Sequence, residues 1–336
     1  MEHSYFWITG EKVSATAGTI FAGSMFVEHL TNGEPTTKPN IVLVHGGGGQ
    51  GTDYLATPDG RPGWAPLLAE QGYPVYVVDR PGHGRSPYDP EALGAPTPTW
   101  GAELLTGIFL GDPQGPPLPP NTQWPGALDG SDEIFAQFAA SQGPLPSNLG
   151  EMHARERDRL VSLLERIGPA VIFAHSAGGP GAVLAADARP ELVLGLAAIE
   201  IIGPPFLGRP GMELPWGLAA APMHYEPPVT DPSEFQLVID ESKPVPEALQ
   251  AEPARKLPNL ARVPIAIVTA EASPFTYFDG HLKAFLDQTG CNSTVMRLAD
   301  HGLHGNGHGM MLERNNAEVL GVIEGWVSKL PASATR

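Results

Sequence analysis

Short uninterrupted runs of β-branched and aliphatic residues constrain this chain more than any other feature. They are Ile41-Val42-Leu43-Val44, Val75-Tyr76-Val77-Val78, Ala170-Val171-Ile172-Phe173, residues 194–202 and Ile265-Ala266-Ile267-Val268, and a last strand is expected over 294–298. Runs this short, without polar alternation, suit strands covered on both faces. Between them the sequence shifts to helical spacing over 63–72, 151–167, 179–189, 280–289 and 310–330. Strands alternating with helices predict an α/β fold, a mostly parallel central sheet with helices on both faces. Two β-rich stretches, 5–13 and 19–30, come before the first buried run and predict a leading antiparallel hairpin.

One region breaks the alternation. Residues 87–150 mix Pro, Gly, Trp and Phe with few charges, and a connection that long inside a compact domain needs a function. It is expected to be a lid or cap over the carboxyl ends of the strands, joined by a second Pro-rich insertion at 203–258, with 1–336 forming a single domain. Its aromatics Trp100, Phe109, Trp124, Phe135 and Phe138, with Trp216 of the second insertion, would be costly if left in water.

Composition narrows the function classes. A net charge of -17 opposes phosphate backbones and anionic head groups, so neither nucleic acid nor a membrane surface is an expected partner. The single cysteine, Cys291, rules out an intramolecular disulfide, a zinc thiolate cluster and a Cys-x-x-Cys pair. The N-terminus shows no basic segment before an apolar run, and no apolar stretch reaches the roughly 18 residues of a membrane span. A soluble cytoplasmic protein is therefore expected, and a homodimer is allowed.

The segment from Val171 to Gly179 runs from a buried strand through Ala174-His175-Ser176-Ala177-Gly178 into a helical pattern. A serine in a strained strand-to-helix turn needs small neighbours two residues away on each side, so that its hydroxyl projects from the sheet end. Ala174 and Gly178 meet that need, although Gly is usual at the first of these places. Ser176 is thus the expected nucleophile; a helix N-cap is the bland alternative.

Val44 leads into His45-Gly46-Gly47-Gly48-Gly49, where glycines let backbone N–H groups face a developing oxyanion. Gly47 N–H and Ala177 N–H are the expected oxyanion donors. Neither a Gly-Lys-Ser/Thr sequence nor dinucleotide-binding spacing is present, which argues against a phosphate loop. Gly46 and Gly48, His175 beside the serine, and the lid aromatics Trp100, Trp124 and Phe135 are expected to face the substrate.

A base is sought in Asp300-His301-Gly302-Leu303-His304-Gly305-Asn306-Gly307-His308-Gly309, after the last strand and before the last helix. His308 is the first candidate and His304 the second. Glycines separate these histidines, which disfavours a metal site, and no metal is expected. The acid should fall between the serine and the histidines in chain order. Glu200, an ionisable residue in the apolar stretch Ala197-Ala198-Ile199-Glu200-Ile201-Ile202, needs a partner if buried. Asp279, in the segment 271–279 after the next strand, is the alternative.

Together the glycine loop, the turn Asp79-Arg80-Pro81-Gly82-His83-Gly84-Arg85-Ser86, the Ser176 elbow and Gly305-Asn306-Gly307-His308 followed by Met310-Met311-Leu312-Glu313-Arg314-Asn315-Asn316 resemble the α/β-hydrolase superfamily. The likeness runs from about Ile41 to Trp326 and is most specific at the histidine segment and at Thr57-Pro58-Asp59-Gly60-Arg61-Pro62-Gly63-Trp64. It points to an esterase branch whose triad acid is a Glu after the sixth strand of the family's sheet. The resemblance implies Ser176 as nucleophile, Glu200 as acid, His308 as base, Gly47 and Ala177 as oxyanion donors, and no cofactor. The expected reaction is cleavage of a carboxylic ester or a lactone with an apolar portion. Amide or carbon–carbon cleavage, acyl transfer, and a non-catalytic binding role on the same scaffold are the alternatives.

Overall fold

The computed structural model describes residues 1–112 and 115–331, so Pro113 and Gln114 of the expected lid and the last five residues lie outside it. The chain opens with β1 (Glu2–Ile8), β2 (Glu11–Ala15), β3 (Gly18–Ala22) and β4 (Met25–Thr31). β1 pairs antiparallel with β4, and β2 and β3 form a smaller hairpin between them. The expected leading hairpin is therefore a hairpin within a hairpin.

The buried runs become β5 (Asn40–Val44), β6 (Val75–Asp79), β7 (Ala170–His175) and β8 (Val193–Ile199). A separate hairpin, β9 (Leu237–Asp240) with β10 (Glu247–Gln250), occupies the second insertion, and β11 (Ile265–Thr269) and β12 (Ser293–Arg297) complete the main sheet. Its order is β1-β4-β6-β5-β7-β8-β11-β12, antiparallel at β1 and β4 and parallel from β6 onward.

The helices are α1 (Thr52–Leu55), α2 (Trp64–Glu70), α3 (Pro90–Leu93), α4 (Ala102–Phe109), α5 (Glu133–Ala140), α6 (Leu149–Ile167), α7 (Gly179–Ala188), α8 (Asp279–Gln288) and α9 (Asn316–Val327). Alternate residues of each strand feed two apolar layers. Val42, Val44, Ile172 and Ala198 pack with α6, α7 and α8, while Ile41, Leu43, Phe173 and Ile199 pack with α2 and α9. Burial on both faces explains why these strands lack polar alternation.

The chain enters the parallel part of the sheet at β5, adds β6 on one side and then β7 on the other. That reversal leaves a crevice beyond the carboxyl ends of β5 and β7, where ligands bind in open parallel sheets. The glycine loop and Ser176 face each other there. Register does the rest: Val44 lies opposite Ala174 and His175 opposite Ile199, so Ser176 and Glu200 are each the first residue past adjacent strand ends.

The last helix starts later than its spacing suggested, at Asn316 rather than at 310. Arg61, held by Asp59, donates to the carbonyls of Leu312, Glu313 and Arg314, and Trp64 Nε1 donates to Asn316 O. Those carbonyls would otherwise accept α-helical bonds. Segment 309–315 is therefore a series of turns, with Met310, Met311 and Leu312 buried.

Candidate active site

Ser176 sits at φ 52°, the left-handed conformation that a serine adopts only when its surroundings impose it. Those surroundings are tight. A Cβ on Gly46 would lie 2.7 Å from both Ser176 Cβ and His175 Nδ1, and one on Gly178 would lie 2.4 Å from His45 O. The glycine loop and the serine turn can approach this closely only because neither position carries a side chain. Glu200 also has a positive φ, 44°, so it belongs to a turn just past β8 and not to the strand itself.

His308 joins the two. Its Nε2 lies 3.0 Å from Ser176 Oγ, and its Nδ1 lies 2.7 Å from Glu200 Oε2. Ala270 N–H donates to Glu200 Oε1 at 2.8 Å and Ser273 Oγ–H donates to Oε2 at 2.6 Å. Ser273 Oγ in turn accepts from Phe275 N–H, so its own proton is free for the carboxylate. Burial pushes the Glu200 carboxyl above its ordinary range, and these donors oppose that rise. A carboxylate so surrounded accepts the Nδ1 proton of His308 and leaves the Nε2 lone pair pointed at the serine.

The imidazole is enclosed. Phe275 stacks on it with centroids 3.9 Å apart, Phe109 lies at 5.1 Å, and His175 at 4.4 Å. His175 Nε2 reaches His308 O at 3.0 Å, tying the residue beside the nucleophile to the histidine backbone. Burial, and then the charge of Arg209, hold His308 well below the usual imidazole range, so it is neutral and able to take a proton.

The other candidates lie elsewhere. His304 is exposed and its Nδ1 faces Glu271 at 3.2 Å, while His301 lies on an exposed turn. Asp279 opens α8 and pairs with Arg297 at 2.8 Å.

Gly47, at φ 34°, borders the cleft with Gly46, Trp100 and His175, and Trp100 covers it so closely that a Cβ there would meet the indole at 2.7 Å. Three residues expected at the substrate are turned away. Gly48 C=O accepts from Gly143 N–H at 2.7 Å and a Cβ would strike Gly143 O, so this glycine anchors the insertion. Trp124 and Phe135, 1% and 3% exposed, pack around Phe138 inside the insertion, because burying their area against one another is more favourable than lining an open cleft. From that cluster Phe109 alone extends to His308.

Several participants gave no sequence signal of their own, including Ser273 and Phe275. Arg80 is the most connected. Fully buried beside Glu156 at 2.8 Å, its guanidinium donates to the carbonyls of Ala177, at 3.3 Å, and Gly47. One side chain thus holds the carbonyls of both residues expected to supply oxyanion donors. Its position in the motif after β6 was visible; its reach across the crevice was not.

The chain belongs to the α/β-hydrolase family, whose model matches residues 39–219. It is 33% identical over 335 residues to the "Probable secreted lipase phiG" of Fungal sp. (strain ATCC 74256), covering 97% of this chain and 89% of the relative. A solved structure titled "The Atomic Resolution Structure of a Novel Bacterial Esterase" shares the fold with a TM-score of 0.69 and 23% identity, over 99% of this chain and 96% of the other. Among the described residues no helix is long and apolar enough to cross a membrane. The relative is called secreted, which lends no support to the expected cytoplasmic location.

Proposed function

We propose that the protein is a serine hydrolase that cleaves a small-molecule carboxylic ester or lactone through an acyl-enzyme on Ser176. The observation that carries this reading is the unbroken chain Ser176 Oγ to His308 Nε2 at 3.0 Å and His308 Nδ1 to Glu200 at 2.7 Å. His308 takes the serine proton as Oγ attacks the ester carbonyl, and returns it to the departing alcohol. Gly47 and Ala177 N–H groups hold the tetrahedral oxyanion. Water, activated by the same imidazole, then releases the acid from Ser176. No cofactor is needed for these steps. A net charge of -17 disfavours nucleic acid and anionic membranes as partners.

Replacing His308 with alanine should cost on the order of a thousandfold or more in turnover, since it removes both proton transfers. His304→Ala should change turnover by no more than a few-fold, because that ring bonds Glu271 at the surface. Steady-state kinetics on one ester distinguish the two, and a reversed order would move the base to His304.

The substrate should carry an apolar portion. The cleft over Ser176 is walled by Trp100, Ile108, Phe109, Ile202, Met212 and Met311, and its free space is about 30 Å³, room for one water-sized molecule. A groove of about 380 Å³ adjoins it, and Trp100, Ile108, Arg209 and Met212 line both. These four, from the two insertions, are proposed to part and cap the substrate. Across p-nitrophenyl esters of increasing acyl length, kcat/KM should rise by roughly 15- to 60-fold over two or three added methylenes, at about 0.8 kcal/mol for each one buried. A flat series would contradict an apolar acyl site.

A further inference from the structure

Arg209 brings to the catalytic cleft a positive charge with no hydrogen-bond acceptor among the described residues. It lies in the second insertion, and its side chain borders both the space over Ser176 and the adjoining groove. The guanidinium sits 4.6 Å from the centroid of Phe275 and 5.7 Å from that of Phe278. Phe275 is the ring stacked on His308. An aromatic face attracts the cation but supplies no carboxylate or carbonyl oxygen to its five N–H donors.

Among the described residues the Arg209 side chain forms neither a hydrogen bond nor an ion pair. That sets it apart. Arg80, Arg85, Arg159 and Arg297 each meet a carboxylate, while Arg166 and Arg262, which meet none, are exposed to water. Arg209 is half-buried, so part of its hydration has been removed without replacement. The acid that also borders the cleft, Asp53, sits against Gly49, with its carboxyl raised by burial to about 7, and among the described residues it forms no ion pair with Arg209.

We infer that the ester substrate bears a carboxylate, which Arg209 binds in the plane of its guanidinium while the ester carbonyl lies at Ser176. The inference rests on the serine-esterase reading and narrows its substrate class. A planar fork matches a carboxylate in a bidentate pair, and in a dry cleft such a pair is strong. Trp100, Ile108 and Met212, which share the wall with Arg209, cover the carbon chain between the two carbonyl groups. The carboxylate also neutralises the charge that Arg209 imposes on the His308 imidazole.

The test compares kcat/KM for matched esters with and without a carboxylate. One arm uses p-nitrophenyl half-esters of straight-chain dicarboxylic acids against p-nitrophenyl esters of the monocarboxylic acids of equal length, which places the charge on the acyl side. The other uses 4-acyloxybenzoates against the corresponding phenyl esters, which places it on the alcohol side. In at least one arm the carboxylate ester should be preferred by about 10-fold or more, and Arg209→Met should lower that preference by about 30-fold, chiefly through KM. Arg209→Lys should restore part of it, since the charge returns without the planar fork.

Preference for the neutral ester in both arms, or a preference untouched by Arg209→Met in a variant that melts like the parent, would overturn the inference while leaving the hydrolase reading intact. The parent enzyme's own preference needs no variant. If the parent cleaves no ester in either arm and a fluorophosphonate leaves Ser176 unmodified, the hydrolase reading has failed and this inference falls with it.

Discussion

Ser176→Ala should yield a folded protein whose ester turnover is lower by about 10⁴-fold or more, with any remaining rate coming from the oxyanion donors and binding alone. The expectation of an intact fold has a physical basis. Among the described residues the Ser176 Oγ side-chain hydrogen bond is to His308 alone, and alanine keeps the small volume that the Gly46 contact demands. Relief of an unfavourable backbone conformation is not at issue, since alanine meets the same restriction at φ 52° as serine. A thermal melt near that of the parent, with turnover at the limit of detection, is the predicted pair of results. Turnover within tenfold of the parent would remove Ser176 from the reaction.

Glu200→Gln should be nearly as damaging, on the order of a thousandfold in kcat, through the base and not through substrate binding. The carboxylate takes four donors: Ala270 N–H, Ser273 Oγ–H, His308 Nδ1–H and, at a longer 3.5 Å, Thr269 Oγ1–H. Glutamine can accept at its carbonyl oxygen, but its amide nitrogen must then face a donor. If that donor is His308, the imidazole flips its tautomer or turns, and Nε2 no longer offers a lone pair to Ser176. The imidazolium formed during attack also loses the negative charge beside it. Asp279→Asn should cost only a few-fold, because that carboxylate pairs with Arg297 and not with the imidazole. Measured side by side on one ester, with melts to check both folds, the two variants separate the acid after β8 from the alternative after β11.

How much of this was legible in the chain depended on how local its cause was. Ser176 was legible because a strand, a tight turn and a helix are consecutive in sequence, and small residues at Ala174 and Gly178 mark the turn. Glu200 was legible for a different reason: a lone ionisable residue among Ala198, Ile199, Ile201 and Ile202 has to find a partner. What the pattern missed was its backbone, since the left-handed turn at Glu200 follows from the end of pairing with β11 at Val268. The late start of α9 was hidden because its cause is Arg61, some 250 positions earlier in the chain, taking the carbonyls of Leu312 to Arg314. Trp124 and Phe135 have the composition of cleft residues, and only the packing of the insertion on itself turns them inward. Arg80 and Arg209 were invisible in the same sense. Neither residue's role follows from its neighbours in sequence; both follow from what lies across the crevice.

The central claim is that Ser176 is the residue acylated during turnover, and a covalent probe tests it most directly. After incubation with a fluorophosphonate, the intact protein should gain the mass of one phosphonyl group, and peptide mapping should place it on the fragment containing Ser176. Loss of ester turnover should follow the same time course, and prior substrate should slow both. His308→Ala should take up the probe far more slowly, since the serine proton then has no acceptor. An adduct on any other residue, or unmodified Ser176 in a preparation that still cleaves esters, would contradict the account.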